Sequence, residues 1–234
     1  VAKHGNRSIT SKSGSADMLE AIGVNLNLSL ENSAKMLEET GFTFMFAQNH
    51  HPCMKHIMPI RKSIPHRTIF NILGPLSNPA TVSKQLIGVF DKSYINKLAY
   101  ALDMLDTKRS MIVSSNDGMD EISISDITHA TSLYNGKIED FEINPEDYGM
   151  QLSDKNEIIG GDAKFNAKLT SDLLSKKLIG AKLNIVLLNA AAALIVDEKA
   201  RDFQDGIDIA KEAIMSGKAK DKLAQIIKVS NQLS

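Results

Sequence analysis

Apolar residues recur along the chain at two alternating spacings, the three-to-four-residue period of an amphipathic helix and the short continuous run of a buried strand. Met18, Leu19 and Ile22 set an apolar stripe on a short helix that Gly23 ends. Ser29 is placed to cap a second helix through SLENSAKMLEETG, which Gly41 closes. The aromatic run Phe42–Ala47 predicts a buried strand whose end delivers Gln48, Asn49, His50 and His51 to a loop. A basic, Met-bearing segment from Cys53 to Ile64 has helical character, and the Gly-Pro and Asn-Pro pairs of residues 74–79 predict a turn-rich connection after it. QLIGVF (residues 85–90) reads as the next strand, and YINKLAYALDML (residues 94–105) carries apolar residues at helical spacing. The strand RSMIVSS (residues 109–115) follows at the interval of a strand–helix–strand unit, which makes the two strands a parallel pair. Between Glu121 and Ile143, short β-prone runs with a turn at residues 134–137 predict an antiparallel excursion, and the remainder to Ser234 is largely helical. The expected fold class is α/β, with a mixed, mainly parallel central sheet flanked by helices.

Composition narrows the setting without changing that picture. At 234 residues, 43% of them hydrophobic, the chain buries a core without disulfide staples. A formal net charge of -1 gives no field for steering onto nucleic acid or an anionic membrane, so an anionic ligand must be held by local groups. Cys53 is the single cysteine and reads as a small buried hydrophobe; with no CxxC pattern it points to a reducing compartment. Val1–Ser15 is polar and basic, unlike a secretory signal, and the cytoplasm is the expected location. The longest apolar stretch, Ile185–Val196, is too short to span a bilayer and is interrupted by Asn189, so it is expected as a helix in a globular core.

Three stretches carry candidate chemistry. Residues 2–17, AKHGNRSITSKSGSAD, set Lys3, His4, Asn6, Arg7 and several hydroxyls around Gly5 and Gly14 ahead of a helix start. Bare glycine backbone, hydroxyl donors, cationic side chains and a helix N-terminus all suit anionic oxygens, although a polar loop with a capped helix has the same composition. In SNDGMDEISISD the adjacent carboxylates Asp120 and Glu121 follow a glycine-bearing turn; such a pair suits Mg²⁺ bridged to substrate phosphates, or is a solvated acidic turn. In NHHPCMKHIMPIRK, His50, His51 and His56 lack metal-site spacing, whereas Arg61 offers a planar two-pronged partner for a carboxylate.

In order and spacing, KHGNRSITSKSGSADMLEAIG (residues 3–23), FMFAQNHHPCMKHIMPIRK (44–62), RTIFNILGPLSNPA (67–80), QLIGV (85–89) and DGMDE (117–121) resemble the anthranilate phosphoribosyltransferases of tryptophan biosynthesis. The resemblance implies the large domain of the nucleoside phosphorylase/phosphoribosyltransferase fold. It also implies transfer of the phosphoribosyl group of phosphoribosyl pyrophosphate (PRPP) to the amino group of anthranilate, releasing pyrophosphate. At matching positions it assigns Lys3, His4, Gly5, Asn6, Arg7, Ser8, Ile9, Thr10, Ser11 and Ser15 to PRPP. Asn6, His4 and Arg61 fall where the family meets anthranilate, with Arg61 on its carboxylate, and Asp120 and Glu121 match the family's Mg²⁺-binding pair. Met54 stands where some relatives have a tyrosine near the substrate.

The family opens with a small helical domain and a GTGGD-type loop around the pyrophosphate, whereas two residues precede the KHGNR match here. Residues 1–234 are therefore expected to form the large α/β phosphoribosyltransferase domain without those parts, with residues from about 50 to 80 packing against the helical domain where it is present. Partners implied by the resemblance are the two small-molecule substrates, a second copy forming a homodimer in the intact enzyme, and a glutamine amidotransferase of anthranilate synthase, separate or fused. Neither nucleic acid nor membrane is expected. Because pyrophosphate leaves readily and an aniline nitrogen needs little deprotonation, no covalent catalyst and no obligatory acid or base is assigned. The competing readings are a pyrimidine nucleoside phosphorylase-like enzyme, against which KHGNR and GPLSNP speak, and a non-catalytic nucleic-acid-binding relative.

Overall fold

The computed structural model describes residues 1–7, 12–50 and 69–233. In chain order the elements are β1 (Ala2–Gly5), α1 (Ser15–Ala21), α2 (Leu30–Thr40), β2 (Thr43–Phe46), α3 (Ala47–His50), α4 (Phe70–Leu76), β3 (Lys84–Gly88), α5 (Ile95–Met104) and β4 (Arg109–Ser115). They continue with β5 (Thr128–Tyr134), β6 (Lys137–Ile143), α6 (Ala163–Leu174), α7 (Ala181–Val196), α8 (Phe203–Met215) and α9 (Lys218–Gln232). The chain divides into two compact units: Val1–Thr81 with Gly160–Leu174 and Gly217–Ser234, and Val82–Ile159 with Ser175–Ser216.

In the first unit β1 and β2 pair in parallel, with Gly5 opposite Phe46. The intervening chain holds α2, which starts where the Ser29 side chain accepts from the Asn32 N–H and stops at Gly41, as its sequence predicts. Its inner face carries Met36, 1% exposed, into a core of Ala16, Val24, Leu26, Leu28, Phe44 and Phe46. That core is completed by Ile226 and Val229 from α9. Polar ties fix α9 there: Asn32 Nδ2 donates to the Leu233 carbonyl at 2.6 Å, and the Asn25 N–H donates to Ser230 Oγ at 3.0 Å.

In the second unit the strand order is β3-β4-β5-β6. The β3–β4 pair is parallel across the α5 crossover, and β5 and β6 extend the sheet antiparallel. Ser110 through Ser115 of β4 are all buried. Successive strand residues point to opposite faces, so both faces of β4 are covered. Helix α5 turns Ile95, Leu98, Ala99 and Leu102 inward and α7 packs against β3 and β4. Strand β6 lies at the edge and carries Lys137, Glu139, Asp140 and Glu142, charges that discourage pairing with a further strand.

The mixed α/β class is as the sequence predicts, with a finer difference. Among the described residues the strands form two sheets, and the four strand pairings divide equally between parallel and antiparallel. Two local expectations are corrected. Gln48–His50 form the helical turn α3 instead of a loop, because a helical turn supplies local partners for the backbone past the end of β2. The connection expected at residues 74–79 is helical through Leu76 with Pro75 inside α4; proline near a helix C-terminus removes only one backbone donor. The turn comes afterwards, where Asn78 Oδ1 accepts from the Ala80 N–H. The helix expected over residues 53–64, and Cys53 itself, lie outside the described residues. Among those described, no helix is long and apolar enough to cross a membrane.

The first unit's core sets a clear expectation. Met36→Ala should cost about 2–5 kcal/mol, the usual result of deleting a fully buried side chain, while Leu30→Ala, at a side chain 64% exposed, should stay within about 0.5 kcal/mol. Urea denaturation of the two variants separates them, and equal midpoints would show that α2 does not anchor this core.

Candidate functional site

Parallel strands deliver their C-terminal ends to the same edge, where open α/β sheets gather ligands. In the first unit β1 runs into Asn6 and Arg7, and β2 runs into α3, so the KHGNR segment and the start of AQNH emerge together. Gly5 sits at that edge for a packing reason as well as a chemical one. A Cβ there would come 2.9 Å from Cζ of Phe44, so the ring lies against bare backbone.

The side chains of the segment are already engaged. His4 donates from Nδ1 to the Gly74 carbonyl at 3.2 Å, which ties β1 to α4 and makes Nε2 the acceptor nitrogen of the neutral ring. Asn6 Oδ1 accepts from the Arg7 N–H at 2.8 Å. Arg7 forms a two-pronged pair with Glu20 of α1, Nη2 to Oε1 at 2.6 Å and Nε to Oε2 at 3.1 Å, while its guanidinium lies 4.6 Å from the Phe46 ring centroid. Lys3 is exposed. Ser15 is the first residue of α1, and the Asp17 carboxylate of the same helix accepts from the Gly14 N–H at 2.8 Å. An acidic side chain therefore covers part of the helix start that the sequence suggests for anions. Ser8, Ile9, Thr10, Ser11, Met54, Arg61, His51 and His56 lie outside the described residues.

The second unit repeats the arrangement at β3 and β4. After Ser115 the chain turns through Asp120 and Glu121, both exposed. The turn rests on the end of β3: a Cβ on Gly88 would stand 1.5 Å from the Asp120 carbonyl oxygen, so only glycine lets the two backbones meet. Asp117 braces the turn from within, accepting from the Met119 N–H at 3.0 Å and from Ser123 Oγ at 2.7 Å. Burial pushes its pKa up, but the bonds from Ser123, Met119 and Ser115 and the charge of Lys155 outweigh that and hold it below the ordinary 3.8. On the far side, Asn189 of α7 accepts from the Ile122 N–H at 3.0 Å and donates to the Ile122 carbonyl at 2.8 Å.

Of the candidate residues, Lys3, His4, Gly5, Asn6, Arg7 and Ser15 belong to the first unit and Asp120 and Glu121 to the second. Among the described residues no group of three His, Cys, Asp or Glu side chains is placed to hold a metal ion. The donor set at Asp120 and Glu121 nevertheless fits Mg²⁺, which takes one or two carboxylates and completes its octahedron with water and phosphate oxygens. The supports of that turn, Gly88, Asp117 and Asn189, are not singled out as site residues by the sequence; Asn189 was visible only as a polar break in an apolar helix.

Comparison with known proteins bears on the whole chain. Residues 1–220 match the family described as "Glycosyl transferase family, a/b domain". The chain is 43% identical over 234 residues to the anthranilate phosphoribosyltransferase of Rubrobacter xylanophilus, covering 100% of this chain and 68% of that protein. The crystal structure of the anthranilate phosphoribosyltransferase of Thermus thermophilus superposes with a TM-score of 0.90 at 34% identity, over 98% of this chain and 68% of that one. The enzyme of Saccharomyces cerevisiae in complex with PRPP and Mg also gives a TM-score of 0.90, at 27% identity, over 99% of this chain and 65% of that one.

A double-mutant cycle on Arg7 and Glu20, each changed to Ala, should return a coupling of about 0.5–1 kcal/mol in urea denaturation, as befits a half-exposed two-pronged pair; additive single effects would show that the pair holds nothing. For Asp117 the sign runs with pH: a carboxylate depressed on folding stabilises the native state above its unfolded pKa, and that stability is lost as pH falls through the folded value. The stability gap between the unaltered chain and Asp117→Asn should be open at neutral pH and close below the ordinary value of 3.8, and a gap that persists in acid would refute the assignment.

Proposed function

Since this chain belongs to the anthranilate phosphoribosyltransferases, within the glycosyl transferase family, a/b domain, we propose that the end of β1 holds PRPP and that the Asp120–Glu121 turn holds the Mg²⁺ of the same reaction. The reaction is transfer of the phosphoribosyl group from PRPP to the amino nitrogen of anthranilate in tryptophan biosynthesis. The 43% identity over 234 residues to an anthranilate phosphoribosyltransferase carries it. The division of labour is supported by the two motif groups each standing at the C-terminal end of a parallel strand pair.

In this reading the anthranilate amino nitrogen forms a bond to ribose C1 as the C1–O bond to pyrophosphate breaks, and the amine proton passes to solvent or to pyrophosphate. Bound Mg²⁺ supplies charge neutralisation on the departing pyrophosphate. Asp120 and Glu121 hold the ion from a turn that Gly88 lets sit on the strand end. Lys3, Gly5, Asn6, Ser8, Ile9, Thr10, Ser11 and Ser15 cradle PRPP with backbone N–H groups, hydroxyls and charge. Arg7 gives Nε and one Nη2 hydrogen to Glu20, which holds β1 to α1, and its remaining guanidinium donors serve a phosphate. His4, fixed by Gly74, and Asn6 orient anthranilate, and Arg61 pairs with its carboxylate. Catalysis rests on alignment and electrostatics, with no covalent intermediate. A homodimer in the intact enzyme, an anthranilate synthase amidotransferase partner and a cytoplasmic setting complete the proposal.

Anthranilate fluorescence, followed after adding PRPP and Mg²⁺, tests the reading on this chain and on a polypeptide extended to the length of its relatives. Loss of fluorescence that requires both additions is expected. In the joint variant Asp120→Asn, Glu121→Gln, the Mg²⁺ concentration giving half-maximal turnover should rise about tenfold or more. Folded proteins of both lengths that leave anthranilate untouched would overturn the activity, and an unaltered Mg²⁺ response in the variant would remove the acidic pair from the site.

A further inference from the structure

Helix α7 is apolar through most of its length, with Leu187, Leu188, Ala191 and Ala192 buried, yet it carries one amide side chain whose bonds leave the helix. Asn189 Nδ2 donates to the Ile185 carbonyl of its own helix at 2.9 Å and to the Ile122 carbonyl at 2.8 Å, while Oδ1 accepts from the Ile122 N–H at 3.0 Å. The primary amide thus spends both of its hydrogens and an oxygen lone pair on backbone. Ile122 is fully buried, and Asn189 supplies a partner to its N–H and to its carbonyl together.

The bond to the Ile122 N–H acts one residue upstream. That N–H lies in the same rigid plane as the Glu121 carbonyl, so holding it fixes the ψ angle of Glu121. Asp120 is fixed independently, because its carbonyl oxygen rests on Gly88, and the turn before it is braced by Asp117. Two exposed carboxylates are therefore mounted on a backbone restrained before, beneath and after them, and α7 supplies the last restraint.

We propose that Asn189 is a positioning residue for the divalent cation of the reaction: it clamps the Ile122 peptide so that the Asp120 and Glu121 carboxylates converge. The inference rests on the reading of those two residues as the Mg²⁺ pair. Asn189 touches neither substrate nor metal in this scheme. Its removal lets the Glu121–Ile122 peptide rotate and widens the distribution of carboxylate separations, which weakens metal binding.

The test uses Mn²⁺ as the probe, titrated into the ¹⁵N-labelled chain and followed by paramagnetic broadening of the amides around residue 120, with hydrogen exchange at the Ile122 N–H read in parallel. Asn189→Ala is expected to raise the Mn²⁺ dissociation constant about tenfold or more and to speed exchange at Ile122, while its unfolding stays cooperative. Asn189→Gln keeps the bulk and polarity of the side chain but carries the amide one methylene out of register; it serves where the alanine variant does not fold, and the same loss is expected. In turnover, the Mg²⁺ requirement should rise with the KM for anthranilate unchanged, a split that a general loosening of the fold would not give. The joint variant Asp120→Asn, Glu121→Gln is titrated alongside. If it abolishes broadening while both Asn189 variants bind Mn²⁺ as the unaltered chain does, the role of Asn189 is overturned and the acidic pair stands. If it leaves broadening unchanged, both are overturned.

Discussion

A parallel pair of strands cannot be joined by a tight turn; the chain has to travel back along the sheet before the second strand begins, and both strands then end at one edge. Each compact unit is organised around one such pair, β1 with β2 and β3 with β4. The return segments supply the helices that bury the pairs, α1 and α2 in the first unit and α5 in the second. The residues that leave the strand ends are held in place: Asn6 and Arg7 after β1, and the turn through Asp120 after β4. The backbone at these edges is crowded enough that Gly5 and Gly88 stand where a side chain would strike Phe44 or the Asp120 carbonyl.

Much of this is written locally in the chain. Ser29 and Gly41 bound α2 because a hydroxyl and a missing Cβ do the same work at any helix end. RSMIVSS is buried from Ser110 onward, as a run of that kind in a doubly covered strand must be. The motif segment at residues 117–121 emerges at a strand end because strand and turn signals follow one another directly in the sequence, whereas β1, short and polar, carries no strand signal of its own. That β1 pairs with β2 was not legible, since nothing in a strand's own residues states which neighbour it will choose.

The site's supports were legible only in part, because they come from partners distant in sequence. Arg7 stands in a segment rich in phosphate-binding chemistry, and its composition gives no sign that Glu20, on the following helix, takes both of its prongs. Asn189 lies 67 residues beyond Ile122, and in the sequence it marks only an interruption of an apolar run. Pro75 shows a third limit: a residue that usually breaks helices stands inside α4, where it forgoes one bond to the carbonyl four residues back.

The core beneath β1 and β2 takes Ile226 and Val229 from α9, nearly the whole chain away from Ala16. On the ribosome, where the polypeptide emerges in one direction, the segment bearing Lys3 to Arg7 appears well before the residues that finish its hydrophobic bed. The second unit, contained within residues 82–216, has all of its strands and helices out before α9 appears. Vectorial synthesis therefore delays the completion of the sheet that carries the first motif until α9 emerges, and a ribosome that stops short of α9 releases a polypeptide whose β1 and β2 have no closed core.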